Sequence, residues 1–207
     1  MLKLFVSAFI TLFVVLDPPG CAPIYAGLTT GASPAQKRSM AVRACLIAGV
    51  ILIVFALFGE NLLGALHIEL DSFRIAGGLM LFLIALDMVF EKRTQRREER
   101  AHSVEGAEDI SVFPMAIPMI AGPGSIATAM LMVSRADTLG DVGIVLAAMT
   151  AVILLTLVAL LAAAPLMRLA GERIEAMITR LLGVILAALA AQFVIDGLRQ
   201  SFPTLQG

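Results

Sequence analysis

The run Leu16-Asp17-Pro18-Pro19-Gly20-Cys21-Ala22-Pro23 interrupts an otherwise apolar segment that extends from residue 2 to residue 28. In a water-soluble protein such a run marks a surface turn between two elements. Here the flanks decide otherwise, because the apolar residues on both sides together have the length of a membrane span. Roughly 20 mostly apolar residues are needed to cross about 30 Å of hydrocarbon. The whole chain agrees with this reading. Of its 207 residues 59% are hydrophobic and only 15% are charged, against about 45–50% and about 25% in soluble domains. A net charge of −1 provides no basic field for nucleic acid. Two cysteines are too few for a disulfide scaffold. The composition describes one all-α domain whose partner is the lipid bilayer.

Working outward from Asp17, six segments qualify as spans: about 2–28, 42–66, 73–90, 113–133, 142–164 and 179–198. A cleaved signal peptide is the competing reading of the first, since Lys3 precedes an apolar run, but Asp17-Pro18-Pro19-Gly20 supplies no A-x-A cleavage site. The segment is read as a retained helix. With the N-terminus placed outside, the inner loops carry Lys37, Arg38 and Arg43; Lys92, Arg93, Arg96, Arg97 and Arg100; and Arg168, Arg173 and Arg180. Eleven of the fifteen basic residues then lie inside and four outside. That is the bias that orients membrane proteins, and it puts both termini on the outer side and 91–112 in the cytoplasm.

The interruption has a counterpart. Pro19-Gly20 recurs as Pro123-Gly124, an offset of 104, and Arg74-x-x-Gly77 recurs as Arg180-x-x-Gly183, an offset of 106. These landmarks imply an internal duplication, with 1–90 as the first repeat, 91–112 as a cytoplasmic linker and 113–207 as the second. Three helices per repeat force the halves into opposite orientations, an inverted repeat of the kind many secondary transporters use. The linker run Glu91–Asp109 is nearly self-neutral and reads as solvated.

Six of the nine prolines fall in the two interruptions: Pro18, Pro19 and Pro23, then Pro114, Pro118 and Pro123. Each proline removes a helical donor and crowds the preceding turn, so helices 1 and 4 are expected to be discontinuous. A break exposes N–H groups at one new helix end and carbonyls at the other. Ser125 is expected to cap the second break, leaving the amides of Ile126 and Ala127 for an anion, and Pro23 to begin the half-helix after the first. A small zwitterion suits such a pair, with its carboxylate on amides and its ammonium on carbonyls. The candidate substrate-binding residues are Asp17, Pro18, Gly20, Cys21, Pro23, Gly122, Pro123, Gly124, Ser125 and Ile126. The alternative is a pair of packing kinks without a ligand. Asp17 has three readings: it binds an ammonium group, it relays a proton, or it caps the freed amides beside Pro18 and Gly20. Gln192 is a second polar candidate, for coupling or for a bond across helices. Asp87 reads as interfacial near Lys92, and Arg74 and Arg180 as snorkelling to the membrane surface.

Other chemistry is not encoded. Cys21 and Cys45 make no C-x-x-C, His67 and His102 have no ligand spacing, and no P-loop or hydrolase motif is present. A non-enzymatic protein without metal or cofactor is expected. Homo-oligomerisation stays open.

With both interruptions in view, the sequence resembles the MarC family of bacterial inner-membrane proteins. The resemblance is carried by Asp17-Pro18-Pro19-Gly20-Cys21-Ala22-Pro23, by Phe73-Arg74-Ile75-Ala76-Gly77-Gly78, by Ile117-Pro118-Met119-Ile120-Ala121-Gly122-Pro123-Gly124-Ser125-Ile126, and by Ala191-Gln192 through Gly197. It implies six helices, a place near the LysE-type transporters, and export of a small neutral amino acid such as glycine or alanine. A passive channel or ion conductor, and a membrane protein without transport, are the other classes. The family pattern has Asn after the glycine of the first motif. This chain has Cys21, which removes an amide donor and acceptor there.

Overall fold

The structure, a computed structural model, describes residues 1–90 and 109–202, without the side chains of 166–173 and 175. All but the last four residues of the expected 91–112 linker lie outside the described residues, as do Lys92, Arg93, Arg96, Arg97 and Arg100. The described residues form helices and no strands. In chain order they are α1 (Leu2–Leu16), α2 (Pro18–Leu28), α3 (Pro34–Ala65), α4 (Leu70–Val89), α5 (Ser111–Ile120), α6 (Pro123–Val133), α7 (Leu139–Leu161) and α8 (Ala163–Ser201). Four helical stretches pass as spans on their own: α3, α4, α7 and the Ala176–Ser201 part of α8. Leu2–Leu28, which contains α1 and α2, is a fifth. The pair α5–α6, bent by 54°, makes a sixth when counted as one.

Helix starts follow local chemistry more than hydrophobicity. At α3 the Ser33 hydroxyl accepts from the Gln36 N–H at 3.3 Å while the Gln36 side chain accepts from the Ser33 N–H at 2.9 Å. This reciprocal cap, with Pro34 in the first position, satisfies orphan donors. The helix therefore begins eight residues before the expected start at 42. At α7 the Thr138 hydroxyl accepts from the Asp141 N–H at 3.1 Å, and Thr138 lies 105 residues after Ser33.

The largest departure from expectation is at α8. Residues 163–178, read as ending a span and forming an inner loop, are helical, so Arg168, Arg173 and Arg180 lie on one helix with the sixth span. Charge ends a membrane span but not a helix, and Arg, Leu, Glu, Ala and Met are strong helix formers. Pro165 is tolerated because it falls in the first turn.

The most extensive packing joins α4 to α8. The two run antiparallel, since Gly78 lies against Ala190 and Val194, Gly183 against Ala85 and Met88, and Gly197 against Asp71 and Ile75. A Cβ on Gly78 would come within 2.9 Å of the Ala190 carbonyl oxygen, and one on Gly183 within 3.1 Å of that of Ala85. Small residues admit such approach, which is how helices gain contact where lipid offers no hydrophobic incentive. Elsewhere α1 and α2 pack on α7, α3 packs on α5 and α6, and α1 packs on α6. Outward-facing Leu46, Val50 and Val54, one turn apart on α3, are exposed and present an apolar stripe suited to lipid.

Arg74 does not snorkel outward. It is 4% exposed, its guanidinium donating to Asp71 Oδ1 at 3.2 Å and to the Gln200 side chain on α8. A carboxylate one turn away and an amide across the helix pair provide an inward partner set that bulk headgroups need not supply. Arg180 is exposed, and Asp87 is half-buried.

Candidate functional site

At the first interruption α1 closes normally, with the Asp17 N–H donating to the Phe13 carbonyl at 3.0 Å. Asp17 then takes a left-handed conformation, φ 55° and ψ 64°, a region that Asp tolerates better than most residues. One residue thereby ends α1 and caps α2. Its Oδ1 accepts from the Gly20 N–H at 3.2 Å, and its carbonyl accepts from the Cys21 N–H at 3.1 Å. Pro18 and Pro19 have no N–H to offer. The head of α2 therefore has no uncapped amide, and the cap is the role in which Asp17 is found. Acceptors are the surplus here. Pro18 takes away the donor that the Val14 carbonyl would meet in a continuous helix, and Pro23 does the same to Pro19. The Leu16 carbonyl accepts only a weak bond from the Cys21 thiol at 3.6 Å. Pro23 does not begin the half-helix as expected; α2 begins at Pro18, because Asp17 caps it there, and Pro23 sits inside.

The second interruption is built from small residues. Phe113 and Ile117 are extended, each preceding a proline, which crowds the α region of its neighbour. Across each of them α5 turns widely, with N–H to carbonyl bonds from Met115 to Ile110 at 3.3 Å and from Ala121 to Ala116 at 2.8 Å. Gly122, not Ser125, is the N-cap of α6, and no side chain caps it. The reason is the position of Pro123, whose fixed φ starts the helix there. The Ile126 N–H is consequently spent on the Gly122 carbonyl at 3.0 Å. The uncapped donors are those of Gly124 and Ser125, two residues earlier than expected. A Cβ on Gly122 would meet the Pro118 carbonyl oxygen at 2.6 Å, which explains why this position carries no capping side chain.

Asp17, Pro18, Gly20, Cys21, Gly122, Gly124 and Ser125 are buried, Pro23 and Ile126 are half-buried, and Pro123 is exposed. Leu16, Cys21 and Ala22 beside the first break and Ile120 and Ala121 beside the second belong to one buried cluster. The two breaks thus share a core. Gly124 also faces α4, where an added Cβ would strike Ile84 Cδ1 at 2.4 Å. Gln192 stands apart: it is exposed and donates to Asp196 Oδ1 at 2.6 Å on its own helix rather than across helices. Asp196 in turn pairs with Arg135 at 2.5 Å, and Arg135 lies 4.6 Å over the Phe193 ring. Among the described residues no group of three His, Cys, Asp or Glu is placed to hold a metal ion.

A cavity of about 220 Å³ that no sequence pattern marks lies at the far end of α2, lined in part by Tyr25, Thr29, Lys37 and Arg38. None of the candidate site residues lines it. In sequence, Lys37 and Arg38 mark only topology, through their positive charge.

The sequence profile described as MarC family integral membrane protein matches residues 2–202. A UPF0056 membrane protein of Methanocaldococcus jannaschii is 36% identical over 96% of this chain and 97% of its own. The UPF0056 membrane protein YvbG of Bacillus subtilis is 35% identical over 99% of each chain. The UPF0056 inner membrane protein YhgN of Escherichia coli is 32% identical over 94% of this chain and 95% of its own. No solved structure matches the chain at a significant level.

Proposed function

The chain belongs to the MarC family of integral membrane proteins, and from that premise we propose that it is a secondary transporter, exporting small neutral amino acids such as glycine or alanine. The observation that carries this reading is the opposite chemistry of the two breaks. The first offers a carboxylate and carbonyls without donors; the second offers the amides of Gly124 and Ser125 at a helix N-terminus. An ammonium group suits the former and a carboxylate the latter. The residues around them are small, including Ala22, Ala121 and Gly122, so the substrate is compact. The protein needs no enzymatic step, metal or cofactor in this role.

Alternating access in such proteins moves one inverted repeat against the other around a central site. We read α1–α4 and α5–α8 as those repeats, with the first and fourth spans discontinuous. The pairings support this: α1 and α2 pack on α7 as α5 and α6 pack on α3, and α4 packs on α8. Ser33 and Thr138 make matching caps at equivalent positions. Placement in a bacterial inner membrane is supported by the name of the Escherichia coli relative, and periplasmic termini by the basic residues.

Proteoliposomes containing the full chain test the reading. Saturable glycine or alanine flux, lost in Gly124→Leu and weakened in Asp17→Asn, is expected. Linear flux insensitive to Asp17→Asn identifies a passive channel instead, and absence of flux with and without a pH gradient overturns transport of these substrates.

A further inference from the structure

We propose that the cavity where α2, α3, α7 and α8 meet binds a phosphate-bearing anion, with the headgroup of an acidic phospholipid as its favoured source. The inference is independent of what the chain transports. The hollow of about 220 Å³ has the volume of roughly seven water molecules at about 30 Å³ each, ample for a phosphate group. Its polar side is cationic. Lys37 and Arg38 both line it, and neither has an acidic partner among the described residues. The hydroxyls nearby are already committed as donors, Tyr25 to the Lys37 carbonyl and Thr29 to the Tyr25 carbonyl at 2.7 Å. The two side-chain cations are therefore the outstanding donors. A guanidinium fork beside an ammonium point charge suits a group with several equivalent anionic oxygens.

The rest of the wall selects the source. It is apolar, with Ala164 and Leu161 among its residues, and Leu161 is also 47% exposed on the outer surface of the bundle. A free phosphate ion has no use for an apolar wall that continues onto a lipid-facing side. A phospholipid has, because its headgroup reaches the cations while its chains follow the helices. Basic pockets between helices at the membrane surface recognise anionic headgroups in this manner. Two of the eleven basic residues that give the chain its charge bias would then hold a particular lipid.

The test uses the full chain purified in detergent, titrated separately with phosphatidylglycerol, phosphatidylcholine and inorganic phosphate. Thermal midpoint and lipid retained in native mass spectrometry are the readouts. Phosphatidylglycerol is expected to raise the midpoint by roughly 4 °C near saturation and to remain bound, while phosphatidylcholine does neither. Lys37→Gln with Arg38→Gln abolishes both effects, and Lys37→Arg with Arg38→Lys retains them. Ala164→Phe fills the hollow with both charges intact, and it too loses the retained lipid; full retention in this variant overturns the pocket. A shift reproduced in full by inorganic phosphate supports the site and assigns it a soluble ligand. The proposal is overturned if phosphatidylglycerol binds the double Gln variant as tightly as the parent chain, or if neither anion shifts the parent chain.

Discussion

At Asp17 an acidic residue in a left-handed conformation joins two helices and spends one carboxylate oxygen on the first amide after two prolines. At Ala121-Gly122, by contrast, two small residues turn the chain and leave the following helix without a side-chain cap. Both interruptions follow from proline, yet their surplus groups are opposite. Prolines at the start of a helix delete donors, so two in succession leave only acceptors behind. A single proline after glycine deletes one donor and leaves the next two amides free. The number and position of prolines, more than their presence, determines which ion a broken helix can attract.

Substituting the second break gives the largest expected effect. Gly124→Leu drives a side chain into Ile84, whose Cδ1 lies 2.4 Å from an added Cβ. Overpacking of this kind costs about 1–3 kcal/mol, and the new side chain also screens the amides, so substrate flux in proteoliposomes falls to background while the thermal midpoint drops. At the first break, Asp17→Ala removes the cap, worth about 1 kcal/mol, and puts a Cβ residue without local hydrogen bonding in the left-handed region, at roughly another 1 kcal/mol. Asp17→Asn keeps cap and conformation, so its midpoint stays within about 0.5 kcal/mol of the parent while the KM for glycine rises about tenfold. Equal KM values for the Asn variant and the parent would break the comparison, because the first break would then act through shape alone.

A smaller effect sharpens it. Pro23→Ala restores an N–H for the Pro19 carbonyl, removing one surplus acceptor. Stability is unchanged or slightly raised, and substrate affinity, followed by thermal shift with glycine, weakens about threefold. The smallest effect lies at the entrance to α5. Ser111 and the neighbouring Arg43 hold the Asp109 carboxyl below its usual range. A lowered folded-state pKa means that the contribution is present above the unfolded value of about 3.9 and fades as pH falls below it. Both partners are largely exposed, so the midpoint difference between parent and Asp109→Asn amounts to less than about 1 kcal/mol at pH 6. It disappears as pH falls below about 4.

These residues also show where a sequence is transparent. Spans were legible because hydrocarbon imposes length and composition on any helix that crosses it. The irregular backbone at Asp17, Phe113 and Ile117 was legible as a departure from regular helix because proline acts through its own ring, without help from distant residues. What was not legible depended on contacts. Ser125 was favoured as a cap by residue type, but Pro123 had already begun the helix. Arg74 read as a surface charge, since Asp71 gives no sign that Gln200, 126 residues away, will close over it. Gln192 looked like a bridge between helices until Asp196, one turn on, proved the nearer acceptor. The loop expected across 165–178 failed for a related reason, since the pattern that ends a membrane span is not the pattern that ends a helix.

The glycine contacts between α4 and α8 bear on the proposed duplication. Under the proposed duplication, a half-length forebear possessed a single helix in place of these two, and its glycine face lay against the same face of a second copy. Antiparallel contact of identical helices is an isologous, two-fold arrangement. Such a forebear would have had to insert in both orientations, so that each polypeptide met an inverted twin. Fusing two copies would make that meeting certain, and the contacts are those such a pair predicts: Gly78 lies against Ala190 and Val194, and Gly183, 105 residues later, against Ala85 and Val89.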